Sequence, residues 1–162
     1  MTITEVTAIN QSRYRITLDE ESDFVLYRGE LRRFQIKQGG ELSEDAYRQI
    51  FREILPKRAK LRCMNLLKAK DYTKRQLTDK LKQGAYPDEI IEEALAYVES
   101  YGYIDDRRYA RNFIEYHIGT RSRRRIENDL QQKGIRRELI ALAFDELLGE
   151  GVEIDETAQI QK

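Results

Sequence analysis

Two spacings of apolar residues divide the chain. In Arg13–Leu18, Tyr14, Ile16 and Leu18 alternate with polar residues, the period of a half-buried strand. Thr2–Ile9 is rich in β-branched residues and predicts a partner strand across a turn at Asn10-Gln11-Ser12. The polar run Asp19–Asp23 predicts a second turn, and Phe24–Tyr27 a third strand. Together they predict a small antiparallel meander. A short helical turn is expected at Glu30–Phe34, and Gly39-Gly40 breaks the chain.

From Ser43 onward the period is helical. Ser43 suits an N-cap, with Glu44 and Asp45 complementing the helix dipole behind it. This helix is expected to end near Leu55, because Pro56 restricts the residue before it, and Pro56 then opens a helix to about Lys70. Its apolar stripe is Ala59, Cys63, Leu66 and Leu67. Thr73…Gln76 has capping-box spacing ahead of a short helix with Leu77 and Leu81 inward and a stop at Gly84. Pro87 with Asp88 and Glu89 opens a helix burying Ile90, Ile91, Ala94, Leu95 and Val98, closed by Gly102. Asp105 is expected to cap a helix whose inner stripe is Ala110, Phe113, Ile114 and His117. His117 there reads as a helix-edge residue satisfied by one hydrogen bond. Ser122 caps the next helix, with Ile126 and Leu130 inward and Gly134 at its end. The last helix runs from about Arg136 to Leu148, with Ile140, Phe144, Leu147 and Leu148 inward.

These helices repeat. Leu77, Leu81, Gly84 and Ile90 correspond to Ile126, Leu130, Gly134 and Ile140 at offsets of 49, 49, 50 and 50 residues. A fixed period of this size marks supersecondary units that share a core with their neighbours. The expected fold is therefore mostly α, a right-handed array of tandem three-helix repeats preceded by the β meander. The expected organisation is 1–40 for the meander, 41–104 for the first repeat with its lead-in helix, and 105–150 for the second. Residues 151–162 form a tail, within which Glu156–Lys162 falls where a third repeat would begin.

Composition narrows the function. The chain has 162 residues, 40% of them apolar and 36% charged, with a mean hydropathy of −0.73. That is too much Leu, Ile and Tyr for disorder, and no apolar run approaches the ~20 residues of a membrane span. Met1–Glu5 lacks the features of a signal peptide. Cys63 is the only cysteine and His117 the only histidine, so neither an intramolecular disulfide nor a zinc site can be built, and a cytoplasmic protein is expected. The sequence holds no phosphate-binding loop, dinucleotide fingerprint, nucleophile elbow or zinc-protease motif. Asp105-Asp106 reads as helix capping rather than a metal site. A non-enzyme without cofactor or metal is expected.

Charge is zero overall, with 29 basic and 29 acidic residues, but it is blocked along the chain. Residues 57–86 carry +8, 87–106 carry −7 and 107–137 carry +7. Arg121, Arg123, Arg124 and Arg125 surround a helix N-terminus, where cations oppose the dipole by up to about 1 kcal/mol each. Folding does not ask for this, whereas a phosphate or carboxylate would use it. Lys74 and Arg75 hold the equivalent place in the first unit. Lys82 sits near the Gly84 corner, and Lys133, Arg136 and Arg137 near the Gly134 corner. Arg107, Arg108 and Arg111 follow the Asp105 cap. These thirteen cations are the candidate partner- or DNA-binding residues, set at repeated corners that can track a charged filament.

Three segments resemble a known family. Gly102-Tyr103-Ile104-Asp105-Asp106-Arg107-Arg108-Tyr109-Ala110, Tyr72-Thr73-Lys74-Arg75-Gln76-Leu77-Thr78-Asp79-Lys80-Leu81, and Ser122-Arg123-Arg124-Arg125-Ile126-Glu127-Asn128-Asp129-Leu130 with Lys133-Gly134-Ile135 are similar to motifs of the RecX family, bacterial regulators of the RecA recombinase. The resemblance covers about residues 57–148, and the N-terminal strands are similar to an extension of some Gram-positive members. It implies tandem three-helix repeats that bind the RecA–DNA filament and inhibit its ATP hydrolysis and strand exchange, with no catalysis of their own. The expected partners are thus the RecA filament and DNA phosphates, bound by a monomer with no membrane or small-molecule ligand. A stand-alone helical DNA-binding module is the alternative. Zero net charge and short basic helices without Asn/Gln-rich faces for reading bases weigh against it. A third reading is a scaffold whose repeats pack only on each other.

Overall fold

A computed structural model describes residues 1–154. The protein is mostly helical, with a three-stranded antiparallel sheet at its N-terminus. The expected start of a third repeat at Glu156–Lys162 lies outside the described residues. The chain divides into two compact units, one of Met1–Leu66 with Thr78–Val98, the other of Leu67–Leu77 with the chain from Glu99 on.

In the first unit the strands β1 (Ile3–Ala8), β2 (Arg13–Leu18) and β3 (Ser22–Tyr27) pair in sequence order. Ile16 faces Phe24, and Arg13 faces Tyr27. The Asn10 side chain accepts from the backbone N–H groups of Ser12 and Arg13, both at 2.9 Å, which closes the first turn. Ile3, Ile16, Leu18, Phe24 and Leu26 put one face of the sheet into the core. A short helix α1 (Arg28–Arg33) follows directly, two residues ahead of the expected turn, because Glu30 reaches back to the Tyr27 N–H at 2.8 Å. Gly39 then takes a φ of +84°, and the Gly39-Gly40 turn exchanges two backbone hydrogen bonds with Ile3.

Pro56 does not divide two helices as its sequence position suggests. The chain stays helical through α2 (Glu44–Gln49), a π-helical turn at Ile50–Ile54 and α3 (Leu55–Ala69). The Leu55 N–H bonds to the Ile50 carbonyl, five residues back. This widened turn relieves the two conflicts a proline brings to a helix, its missing N–H and the collision of its ring with the carbonyl four residues earlier. Phe51, on the π turn, stacks on Tyr47 at 4.4 Å and meets Phe24 edge-on at 5.0 Å. Ala59 and Cys63 of α3 are buried, while Leu66 and Leu67 are half-buried.

The remaining helices are α4 (Lys74–Gln83), α5 (Asp88–Ser100), α6 (Asp106–His117), α7 (Arg123–Gln132) and α8 (Arg137–Gly149). In the second unit Ala110, Ile114, Ile126, Leu130, Ile135, Ile140, Ala143, Phe144 and Leu147 form one core. Leu148, expected inward, is 45% exposed, and Ala143 takes the buried place on that stripe. The short side chain of Ala143 lets α8 approach its neighbours closely.

The repeat is more regular than apolar residues alone suggest. Thr73/Ser122, Leu81/Leu130, Ile91/Ile140, Ala94/Ala143, Leu95/Phe144 and Val98/Leu147 all stand 49 residues apart. The left-handed corner residue of the first unit is Ala85 (φ 60°), not Gly84, and it matches Gly134 (φ 93°) at the same offset. Both corners close alike: the Leu81 carbonyl accepts from Tyr86 N–H, and the Leu130 carbonyl from Ile135 N–H.

Candidate functional site

The second unit gathers several candidate cations around the first turn of α4 and the corner after α7. Thr73 is fully buried. Its hydroxyl accepts from the Gln76 N–H at 3.1 Å, while Gln76 Oε1 accepts from the Thr73 N–H at 3.0 Å. The capping box read from the sequence is therefore formed. The same hydroxyl donates to the Lys133 carbonyl at 2.6 Å. Arg75 lays its aliphatic stem over the opposite side of this corner, so close to Gly134 that a Cβ there would lie 2.4 Å from Arg75 Cβ and Cδ. The guanidinium of Arg75 is thus delivered beside the Gly134 turn.

Both carboxylates of Asp105-Asp106 cap helices. Asp105 Oδ1 accepts from the Arg108 N–H at 3.1 Å, at the start of its own helix. Asp106 Oδ1 accepts from the Lys74 N–H at 2.9 Å, at the start of α4. Burial pushes the Asp106 carboxyl up from the usual carboxylate range, while the Lys74 N–H pulls it back down. Lys74 Nζ pairs with Glu99 at 3.3 Å.

The arginines around the start of α7 are less free than their sequence suggests. Arg121 pairs with Asp129 at 2.8 Å, and Arg125 reaches the same carboxylate at 3.8 Å. Arg123 pairs with Glu127 at 3.1 Å and lies 4.3 Å from the centre of the buried Phe144 ring. So part of the cost of cations at this N-terminus is offset by carboxylates one turn on and by a ring face. Arg124 is exposed and has no ion-pair partner among the described residues; it lines a groove with Arg137, Asn128 and Gln131.

Arg121, Arg125 and Lys133 share an open hollow of about 550 Å³ with Gln76, Phe113, His117, Asp129 and Gln132. Lys133 Nζ sits 5.6 Å from the Phe113 ring centre. The His117 ring packs on Phe113 at 4.3 Å and on Tyr116 at 4.8 Å, so aromatic contact holds the side chain that the sequence assigned to a hydrogen bond. Burial and then the Arg121 charge hold its imidazole below the ordinary value.

Arg107 and Arg111 are occupied from the other side of the unit. Arg107 pairs with Glu146, and Arg111 with Glu150 at 2.5 Å and Glu146 at 3.8 Å. Arg108, Arg136, Arg137 and Lys82 are exposed, with no ion-pair partner among the described residues. Arg75 and Arg124 are alike in this respect, and they occupy the same step of their helices, 49 residues apart. Of the thirteen candidate cations, these six are the ones that are both exposed and without an ion-pair partner among the described residues. The Glu146 and Glu150 partners were beyond sequence reasoning: they come from the last turn of α8 and its C-cap, 35 or more residues away, and only packing selects which arginines they meet.

Among the described residues no cluster of His, Cys, Asp or Glu is placed to hold a metal ion, and no helix is long and apolar enough to cross a membrane. Cys63 is fully buried, and burial pushes its thiol up to about 11, which leaves it protonated and inert.

Comparison with known proteins places these helices. Residues 59–97 match the first three-helix domain of RecX, and residues 105–143 its second three-helix domain. The chain is 32% identical over 148 residues to the regulatory protein RecX of Caldanaerobacter subterraneus subsp. tengcongensis, covering 91% of this chain and 71% of that one. It is 26% identical to regulatory protein RecX of Clostridioides difficile, over 85% of this chain and 66% of the relative, and 28% identical to that of Listeria welshimeri, over 94% and 58%. A crystal structure of regulatory protein RecX superposes with a TM-score of 0.58 at 27% identity, over 92% of this chain and 75% of that one. The chain spans between just over half and about seven-tenths of the length of these three relatives. With both three-helix domains matched in order and the likeness carried across the N-terminal sheet, the chain belongs to the RecX family of regulatory proteins.

Proposed function

We propose that the protein modulates, as an inhibitor, the RecA recombinase by binding the RecA–DNA filament, acting as a monomer in the cytoplasm and without catalysis of its own. The observation that carries this reading is the pair Arg75 and Arg124. Both are exposed and lack an ion-pair partner among the described residues, and they recur at the second position of equivalent helices. A repeated guanidinium on a repeated helix suits a partner that is itself periodic and anionic, whether through acidic protein surface or DNA phosphates. Lys82, Arg108, Arg136 and Arg137 extend the contact. The salt-bridged Arg107, Arg111, Arg121, Arg123 and Arg125, together with Lys74 and Lys133, shape the corners and take a smaller share. In this reading residues 1–40 form an N-terminal module, 41–104 and 105–150 are the two binding repeats, and 151–162 is a tail. The net charge of zero supports a mixed protein–DNA target over indiscriminate binding to DNA.

The test is binding to bare single-stranded DNA and to RecA-coated DNA over a salt series, alongside RecA ATP hydrolysis. Tighter binding to the coated strand and slowed hydrolysis are expected. Arg75→Ala with Arg124→Ala is expected to weaken coated-strand binding by about tenfold, on the order of 1.4 kcal/mol for two exposed charge-assisted contacts. Equal affinity for bare and coated DNA would refute the filament reading and favour a DNA-binding module.

A further inference from the structure

A second basic site lies in the first unit, and its lining uses none of the candidate cations above. Arg13, Val25, Tyr27, Arg58, Arg62, Lys80, Gln83, Gly84 and Tyr86 line a cavity of about 430 Å³. Its sheet wall follows from strand register: Arg13 and Tyr27 are cross-strand partners, and Val25 shares their face two residues along. Its helical wall follows from spacing, since Arg58 and Arg62 stand four apart on α3 and point the same way. Gly84 shapes the rim, because any Cβ there would lie 3.0 Å from the Tyr86 ring, and its absence lets that ring lie against the turn.

The electrostatics are one-sided. Arg58 is satisfied: it pairs with Glu30 and lies 4.5 Å from the centre of the Tyr27 ring. Arg13, Arg62 and Lys80 have no ion-pair partner among the described residues. The Nε of Arg13 is buried and has no hydrogen-bond partner. A buried donor on a cationic group left this way loses its solvation without compensation, so it marks a place where an acceptor belongs. Burial raises the Tyr86 phenol against the pull of Arg58 and Arg62, which keeps it a proton donor at neutral pH.

We propose that this cavity binds the phosphate of a nucleotide, with Arg13, Arg62 and Lys80 around the phosphate and the tyrosine rings beside the remainder. Three convergent unpaired cations call for more charge than one carboxylate brings, and a phosphate offers both the charge and the acceptors that guanidinium forks match. The volume exceeds what a bare phosphate fills and suits a nucleotide-sized ligand. Two tyrosines at the wall provide faces for a base. A free nucleotide and a nucleotide within a strand present the same phosphate to this site, so the chemistry of recognition is shared. This departs from the sequence expectation of no small-molecule ligand, and it does not depend on the filament reading.

Calorimetric titration of the full chain with dAMP, deoxyadenosine and a short oligothymidylate tests it. Saturable binding of one dAMP per chain is expected, with none for deoxyadenosine. Arg62→Gln with Lys80→Gln is expected to weaken it about tenfold or more, as loss of two charge-assisted contacts implies. Arg124→Gln, outside the cavity, should leave it unchanged. Competition between oligothymidylate and dAMP identifies a strand as the source; dAMP binding without competition identifies a free nucleotide. Circular dichroism checks that the double variant folds, and if it does not, Lys80→Gln alone carries the comparison. Absence of saturable dAMP binding up to about 10 mM, the weak end of specific recognition, overturns the proposal. So does binding that the cavity variants leave intact, or that Arg124→Gln weakens equally.

Discussion

Gly134→Ala isolates the corner that joins the two helices of the second unit to the start of α4. Two separate penalties apply. At φ +93° an alanine pays the left-handed strain, about 1–2 kcal/mol, and lies well beyond the centre of the small allowed region. Its Cβ would also stand 2.4 Å from both Cβ and Cδ of Arg75. Rotating the Arg75 side chain removes the Cδ contact but not the Cβ contact, because Cβ is fixed to the backbone of α4. The helix or the corner must then move, against the hydrogen bond from Thr73 to the Lys133 carbonyl, at about 1 kcal/mol or more for such overpacking. The expected loss is about 2–4 kcal/mol, a large part of the total stability of a typical domain. Urea unfolding followed by far-ultraviolet circular dichroism measures it. Adding Arg75→Ala should restore only a minor part, since the offending Cβ remains. A Gly134→Ala protein within about 0.5 kcal/mol of the parent, the ordinary range of surface changes, would show that the corner is loose and the reasoning wrong. Full recovery on adding Arg75→Ala would show that the clash is only with the mobile end of the side chain.

The matching corner gives the converse: Ala85→Gly relieves left-handed strain and should stabilise by about 0.5 kcal/mol after the entropy of the unfolded glycine is counted, measured by the same unfolding experiment. Thr73→Val keeps the shape but removes the cap acceptor and leaves the Lys133 carbonyl without its partner, so a loss of about 2–3 kcal/mol is expected, while Thr73→Ser should retain most of it. Cys63, its thiol raised to about 11, should react with iodoacetamide at pH 8 only at the rate at which the protein opens; fast labelling of native protein would contradict its burial. The single histidine allows a direct titration by NMR: His117 should protonate below its ordinary value. Because its folded value is lowered, the unfolded chain binds the proton first. Its contribution to stability is therefore present above the ordinary value and lost as pH falls through it, and His117→Gln should flatten that part of the stability profile.

Much of the fold was legible because it rests on local periodicity. Ile16 and Leu18 alternate on a strand, Ile126 and Leu130 share a helix face, and Ser122 and Asp105 cap where short polar residues precede such faces. The misreadings have physical causes. Pro56 reads as a boundary because rules for proline assume α-helical spacing, and a π turn escapes them. Gly84 reads as the corner because glycine is the usual left-handed residue, whereas its lack of a side chain serves the Tyr86 ring and Ala85 bears the strain. The basic residues were legible as a set but not as free or occupied. Arg123 looks like its neighbour Arg124 until Phe144 is seen beneath it. The cavity at Arg13 had no sequence signal, since its cations come from a strand and two helices with no common spacing.

The starting turn of α4 bears on how the protein can be divided. The family boundary falls near residue 104, yet Leu67–Leu77 belongs to the same compact unit as the chain beyond Glu99. The N–H of Lys74 and the hydroxyl of Thr73 find their acceptors at Asp106 and Lys133, residues on the far side of that border. The order of the chain and the order of its cohesion are therefore interleaved. A fragment cut at the border would end as a whole domain by sequence but keep only the Thr73–Gln76 part of the cap of α4, with the Lys74 N–H and the Thr73 hydroxyl stripped of their acceptors, so the two repeats are better regarded as lapped joints than as beads on a string.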